Sequence, residues 1–547
     1  MKNKFKKLFI IFLAVLLTLF STVSCNITFV KNSGASLEFT LTEKEVQSYI
    51  EVAKQAEENL PSNTNVLSVN SYVNNLINGL YYINEQFAIA QINYFTDMSV
   101  ASNKEKYKFA LTSANTARAS YKNALKAVWN SNNPLKSSLF QGISDAEANA
   151  LFNTPEEVDV LNQEIDVLTS EYLTLSTEEL QEKTGPIYAK IVTKYNRIAD
   201  LCGFENYYTY ASGFIYERDY EPTKLSEMTT YMKTYILPLY ADLLNSYNVK
   251  VNSLNAIDKQ IIKDITSKSF KLLSTDYIGN YVNSLNVSTK KGMNDMFTSK
   301  NYTVANSTNS YDGAFTIGFQ HTAVPYCYFG PSYQDIFTII HELGHYYAEY
   351  CNPNKNIPLD IAEIHSQANE LMFLIYLKDV ISNDAYEVLA LDSVLDVLRA
   401  SIVSNLMNEF EMRVFTRNVE NYTSVEFDAI MTEVMNEFGL DFLQNTFRVD
   451  LYNYWKRAII QQPCYYISYS VSGITALGLY CQAIQSQADY KEALTKYDNL
   501  CNADFTGGLT QTLASVNVSN PFNLSTFETI SNALKTETTQ PSFLLVA

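Results

Sequence analysis

Apolar positions along most of this chain recur with the 3.6-residue period of amphipathic helices, and one short region departs from it. Helical pattern begins near Thr42, where TEKEVQSYIEVAKQAEENL carries acids in its first turn and stops at Pro61-Ser62-Asn63. Two long periodic segments follow, from about Val66 to Val100 and from Asn103 to Trp129, the second closed by Ser131-Asn132-Asn133-Pro134. Thr154-Pro155-Glu156-Glu157 opens another helix with a capping threonine, a proline at the first position and early carboxylates. Gly185-Pro186 predicts a break, after which the pattern resumes as two helices split at Gly203. Long helices are expected from Thr223 to about Tyr247 and from about Ala256 to Leu285. Between Asp312 and Gly330 the texture changes. DGAFTIGFQHTAVPYCYFG is rich in β-branched and aromatic residues and punctuated by Gly313, Gly318, Pro325 and Gly330, which predicts a small sheet or hairpin. From Leu359 helices return, interrupted near Gly507-Gly508 and by SVNVSNPFNLSTF before a last short helix, ETISNALKTE. The segments share no fixed repeat length, so a solenoid is not expected. They divide into an N-terminal helical lobe over 40–184, a second region over 185–537 and a tail, 538–547, expected to fray.

Composition agrees with this pattern. In 547 residues there are only 17 glycines and 13 prolines, and 47% of positions are hydrophobic, which suits a folded, helix-rich chain. The formal charge of −18 sets up a field that repels phosphate backbones, so nucleic acid is not expected as a partner. Residues 1–24 read as an export signal, since a start with Lys2, Lys4, Lys6 and Lys7 precedes LFIIFLAVLLTLF, an apolar run too short to span a membrane. Ser21-Thr22-Val23-Ser24-Cys25 then resembles a bacterial lipobox, with Thr22 where Leu, Val or Ile is usual. Cys25 is the expected lipidation site and would anchor the protein outside the cytoplasmic membrane; plain secretion is the alternative. The six further cysteines contain no Cys-x-x-Cys pair and are too few for a disulfide framework in a chain this long.

The chemistry gathers on one predicted helix, IFTIIHELGHYY. Ile336, Ile339, Ile340, Leu343 and Tyr347 form its buried stripe. His341 and His345, two of only four histidines, then lie one turn apart on one face. The pattern is His-Glu-x-x-His: two neutral imidazoles suit Zn²⁺, and Glu342 can act on water at the metal as general base. No His-x-x-Gly-x-x-His continuation follows, so the third ligand must come from elsewhere. Asn356-Ile357-Pro358 starts a second helix, LDIAEIHSQANELMFLIYL, strongly apolar around two glutamates. Glu363 is the expected third ligand. Glu370, seven residues on, would accept a hydrogen bond from a ligand imidazole, or else take the ligand role itself. His321, in the strand-like region, is expected to make a polar contact in the fold.

Several separated stretches agree with one family. HELGH followed by AEIHSQANE resembles the M3 peptidases, the thimet oligopeptidase and oligoendopeptidase F group, and within it the oligoendopeptidase F branch. RIADLCGFENYYTYASGFIYERDYEPT and PCYYISYSVSGITAL (463–477) resemble further segments of that branch, and the likeness spans roughly Tyr188 to Leu534. It implies a mainly α, two-lobed zincin fold with a deep central channel and a small sheet beside the His-Glu-x-x-His helix. It also implies one Zn²⁺ on His341, His345 and Glu363, and hydrolysis of internal bonds in short peptides. By the same resemblance Tyr469, with Tyr466 near it, would donate a hydrogen bond to the oxygen that gains negative charge during attack. Many relatives carry a histidine a few residues before this tyrosine segment, where this chain has Arg457-Ala458-Ile459-Ile460. That departure leaves open a catalytically weak or inactive peptide-binding lipoprotein on the same scaffold; a carboxypeptidase-type exopeptidase is a separate alternative.

Overall fold

Thr42 accepts the Glu45 amide while the Glu45 carboxylate accepts from the Thr42 amide, and this reciprocal cap starts the first helix, α1 (Glu43–Asn59). A computed structural model describes residues 36–140, 148, 151–173, 175–267, 277–355, 357–439, 455–458, 460 and 462–539. The leader with Cys25 and the end of the tail lie outside them. α1 packs with α2 (Val66–Thr96) and α3 (Ala101–Trp129). Ala110, Ala114, Ala117 and Ala124 are fully buried along α3, and small side chains there let the helices approach closely. Their core, with Tyr49, Leu76, Tyr121 and Trp129, runs from Leu41 to Phe152.

A second core runs from Val158 to Leu534. It includes α4 (Thr177–Leu201), which corrects the expected break, since this helix continues through Gly185 and Pro186. Pro186 removes an N–H from the helical ladder. The loss is offset by packing under the start of a later helix. The Gly185 amide donates to Ser424 Oγ at 3.2 Å, and a Cβ at 185 would lie 2.1 Å from the Ser424 nitrogen. The split at Gly203 is present, with the glycine at φ +83°. The expected helix from Thr223 is instead two, Pro222–Tyr231 and Leu237–Ser253, joined by a π-helical turn at Met232–Ile236. Pro238, just beyond that turn, cannot donate to the ladder, and the wider turn accommodates it.

The region around Asp312 to Gly330 forms an antiparallel pair, β2 (Ala314–Phe319) and β3 (Val324–Phe329), and β1 (Tyr302–Val304) adds in parallel to give the order β1-β3-β2. β1 has three residues, too few for an alternating pattern to show in sequence. The sheet joins the two cores, because Ala88, Ile89 and Ile92 of α2 pack with Phe319, Tyr326 and Tyr328. Next come α5 (Ile336–Cys351), α6 (Leu359–Leu377), α7 (Asn383–Phe415), α8 (Ser424–Phe438), α9 (Ile467–Ala483), α10 (Gln487–Cys501) and α11 (Leu524–Thr539). α9 is buried over nearly its whole length and packs against α6, α7, α10 and α11. Its apolar and small residues all round are what a central helix requires. The molecule is thus mainly α and two-lobed, with a small sheet beside α5.

Candidate active site

Asp335 caps α5 by accepting the Thr338 amide at 3.0 Å, and Ile336, Ile339, Ile340, Leu343 and Tyr347 are buried as the period requires. His341 and His345 stand on the adjoining, part-exposed face with ring centroids 5.0 Å apart. At Gly344 the backbones of α5 and α6 meet: a Cβ there would lie 2.5 Å from the His365 carbonyl oxygen and 2.8 Å from Ser366 Cα. The Asn369 side chain spans the same interface, donating to the Ile340 carbonyl at 2.7 Å.

That contact brings Glu363 under the histidines, with Oε2 at 3.9 Å from His341 Nε2 and 3.9 Å from His345 Nε2. One ligand atom from each of these three residues lies within 4.8 Å of the other two. Glu363 Oε2 is buried and has no hydrogen-bond donor among the described residues. An anionic oxygen in that position needs a cation, and two imidazole nitrogens with a carboxylate form a donor set that fits a divalent metal. Glu370 Oε1 accepts from His341 Nδ1 at 2.6 Å, which puts a proton on Nδ1 and makes Nε2, turned toward Glu363, the nitrogen that a metal cation would take in place of a proton. Burial pushes the Glu363 carboxyl up to about 7, against the pull of His341. Burial lowers His341, but the hydrogen bond and charge of Glu370, with Glu342 and Glu363 behind them, hold it up at about 9. His345 is held well below the usual range by burial and then by His341 and His365.

Glu342 lies beside the cluster, its carboxyl raised by burial. Thr316 on β2 donates to its Oε2 at 2.7 Å and so fixes its orientation. His341, His345, Glu363, Glu342 and Thr316 open onto a cavity of about 370 Å³, and Glu370 stands behind His341. Tyr465 and Tyr469 line it too, their hydroxyl oxygens 3.4 Å apart. Burial, and then the charge of Glu363, push the Tyr469 hydroxyl far up, so it stays protonated. The structure brings Tyr465 to the cavity with Tyr469, whereas Tyr466 is the N-cap of α9 and is not among the lining residues. Tyr466 is helical and its carbonyl accepts the Tyr469 amide at 3.0 Å, while Cys464, two residues earlier, stands at φ 62°.

Sequence reasoning missed the groups that hold this geometry. Arg218, within the stretch ERDYEP, is buried and reaches toward Asp360 Oδ1 (3.7 Å), Ser468 Oγ (3.1 Å) and the Tyr465 carbonyl (3.4 Å). Tyr220 donates to Asp360 Oδ2 at 2.7 Å. Asp360 is three residues before Glu363 and Ser468 one before Tyr469, so this pair of side chains ties the two walls of the cavity together. Two acids and an arginine between aromatics were the available signal. His321 packs edge-on against Tyr82 of α2, away from the cavity. Of the segment where relatives carry a histidine, Ile460 is buried, and Ile459 and the side chains of Arg457 and Ala458 lie outside the described residues. No described helix is long and apolar enough to cross a membrane.

No family model matches the chain, and no curated protein matches it. Solved structures do. PZ peptidase A with inhibitor 2 is similar at 17% identity and TM-score 0.68, over 93% of this chain and 99% of that one. A protein described as oligoendopeptidase F is similar at 15% identity and TM-score 0.69, covering 92% and 97%. Another of that description, from Bacillus anthracis, gives 15% identity, TM-score 0.68 and coverage of 93% and 98%. At such identities the likeness is one of fold, and it extends over essentially the whole of each chain.

Proposed function

With the oligoendopeptidase F fold as premise, we propose that this chain is a zinc-dependent peptidase cleaving internal bonds of short peptides. The observation that carries this reading is the convergence of His341, His345 and Glu363 in a cavity also lined by Glu342 and Tyr469. Two imidazoles and a carboxylate suit Zn²⁺ and leave a fourth position for solvent. When bound, the ion would supply a Lewis acid that lowers the pKa of water to about 7 and polarises a peptide carbonyl.

The chain's own groups do the rest. Glu342, oriented by Thr316, takes the proton of the attacking water and passes it to the leaving amine. Tyr469 donates a hydrogen bond to the carbonyl oxygen as charge develops there, an effect worth about 10² to 10³ in rate, and Tyr465 orients that hydroxyl. Ala314, Phe315 and Thr316 all line the cavity. Consecutive strand residues point to opposite faces, so it is the backbone edge of β2 that faces the cavity. An extended peptide would pair along that edge, held by main-chain hydrogen bonds that do not depend on its sequence. Export and lipidation at Cys25 belong to the same proposal and rest on the leader sequence; the mass of the mature N-terminus tests them.

Metal analysis and a quenched-peptide library, with and without chelator, test the activity. The wild type should carry one zinc per chain and lose cleavage on chelation. Glu342→Gln should keep the metal and lose at least about 10² in turnover. Near-normal turnover in that variant removes Glu342 from the reaction. A zinc-loaded wild type that binds peptides and cleaves none would be a binding protein instead.

A further inference from the structure

Glu349 is a cavity-lining carboxylate that the chemistry above does not use. It follows Glu342 by seven residues, two turns along the same face of α5. The two glutamates meet β2 in matching fashion. Thr316 touches Glu342, and Gly318, two residues on and therefore on the same face of the strand, lies under Glu349. A Cβ on Gly318 would stand 3.1 Å from Glu349 Oε2, so the glycine leaves the space this carboxylate fills.

The other carboxylates at the site have assigned places: Glu342 accepts from Thr316, Glu370 accepts from His341, and Glu363 faces the two imidazoles with which it would share a cation. Among the described residues Glu349 has no cation and no hydrogen-bond donor, and none of those lining the cavity is a lysine or arginine. A half-buried, unpaired carboxylate is unfavourable in the folded protein, and burial alone pushes its carboxyl up to about 7. A cation brought by the substrate would remove that penalty.

We propose that Glu349 selects peptides bearing a lysine or arginine side chain two residues from the cleaved bond. The register follows from β2: one two-residue repeat, about 7 Å, separates the Thr316–Glu342 contact at the reacting bond from the Gly318–Glu349 contact. This rests on the peptidase reading for the position of the bond, but the charge preference itself can be read from binding alone.

The test uses acetylated, amidated, quenched peptides in which lysine or norleucine is walked through each position. For the wild type, kcat/KM should favour lysine over norleucine by about 10 to 100-fold at one position two residues from the cut, as for a hydrogen bond to a charged group. Glu349→Gln should bring that ratio to within about threefold of one, and Glu349→Lys should bring it below one. The same ratios should appear in Kd measured by anisotropy in a Glu342→Gln background, where nothing is turned over. A wild-type ratio near one, a preference at another position, or a ratio unchanged in Glu349→Gln overturns the inference. If no peptide is cleaved, the peptidase reading falls, and the Kd ratios still decide the role of Glu349.

Discussion

Glu363 and Glu370 sit on one helix and approach His341 from different sides, the first 3.9 Å from Nε2 and the second 2.6 Å from Nδ1. Helical periodicity put both on a single face and left either eligible as ligand; distance separates them. Glu363→Ala should therefore abolish stoichiometric zinc, while Glu370→Ala should weaken it by about 10 to 100-fold, as removal of a partner behind a ligand does. Competition titration with a chromophoric chelator measures both, and the opposite ranking would exchange their roles. The tyrosines show the limit of residue-level reading. Tyr469 belongs to a helix and its direction follows from the period, but Tyr465 and Tyr466 stand at its start, and only the packed structure shows that Tyr465 rather than Tyr466 lines the cavity.

Between elements, the decisive contact is Gly344 of α5 against the backbone of α6. In sequence it was only an unassigned position between two histidines. In the fold it lets the helix bearing Glu363 bring that carboxylate within 3.9 Å of both histidines, since a methyl group would meet backbone at 2.5 Å. Gly344→Ala should cost about 1 to 3 kcal/mol through overpacking and, by moving α6, at least about tenfold in zinc affinity. Thermal melting with and without zinc separates the two effects, and a variant with wild-type melting and metal affinity would show that the helices yield freely there. Gly185-Pro186 teaches the converse. The local signal for a break was real, and packing against Ser424 overrode it, which no window of sequence around residue 185 contains.

Over the whole molecule, the tyrosine segment is tethered to α7 by buried Glu411, whose Oε1 accepts the Cys464 amide at 2.7 Å. Burial pushes this carboxyl up to about 8, against the pull of that hydrogen bond and of Arg218. A folded pKa above the unfolded value means that the contribution of this group to stability is complete below about 4.5 and is lost as pH rises through about 8. Glu411→Gln can accept the same bond without titrating, so its melting temperature relative to wild type should climb between pH 5 and pH 9; parallel curves would show that Glu411 does not titrate there. At this scale the division of labour is clear. The sequence alone determined the helical class, most helix starts, the hairpin and the pair of imidazoles one turn apart, because periods, caps and turns are local and repeat within a few residues. The tertiary structure alone decided which carboxylate lies against those imidazoles, which tyrosines line their cavity, that α4 passes through its proline, and that Glu349 has no partner among the described residues. Each of these depends on backbones and charges far apart in the chain, and their encounter is set by how the helices pack.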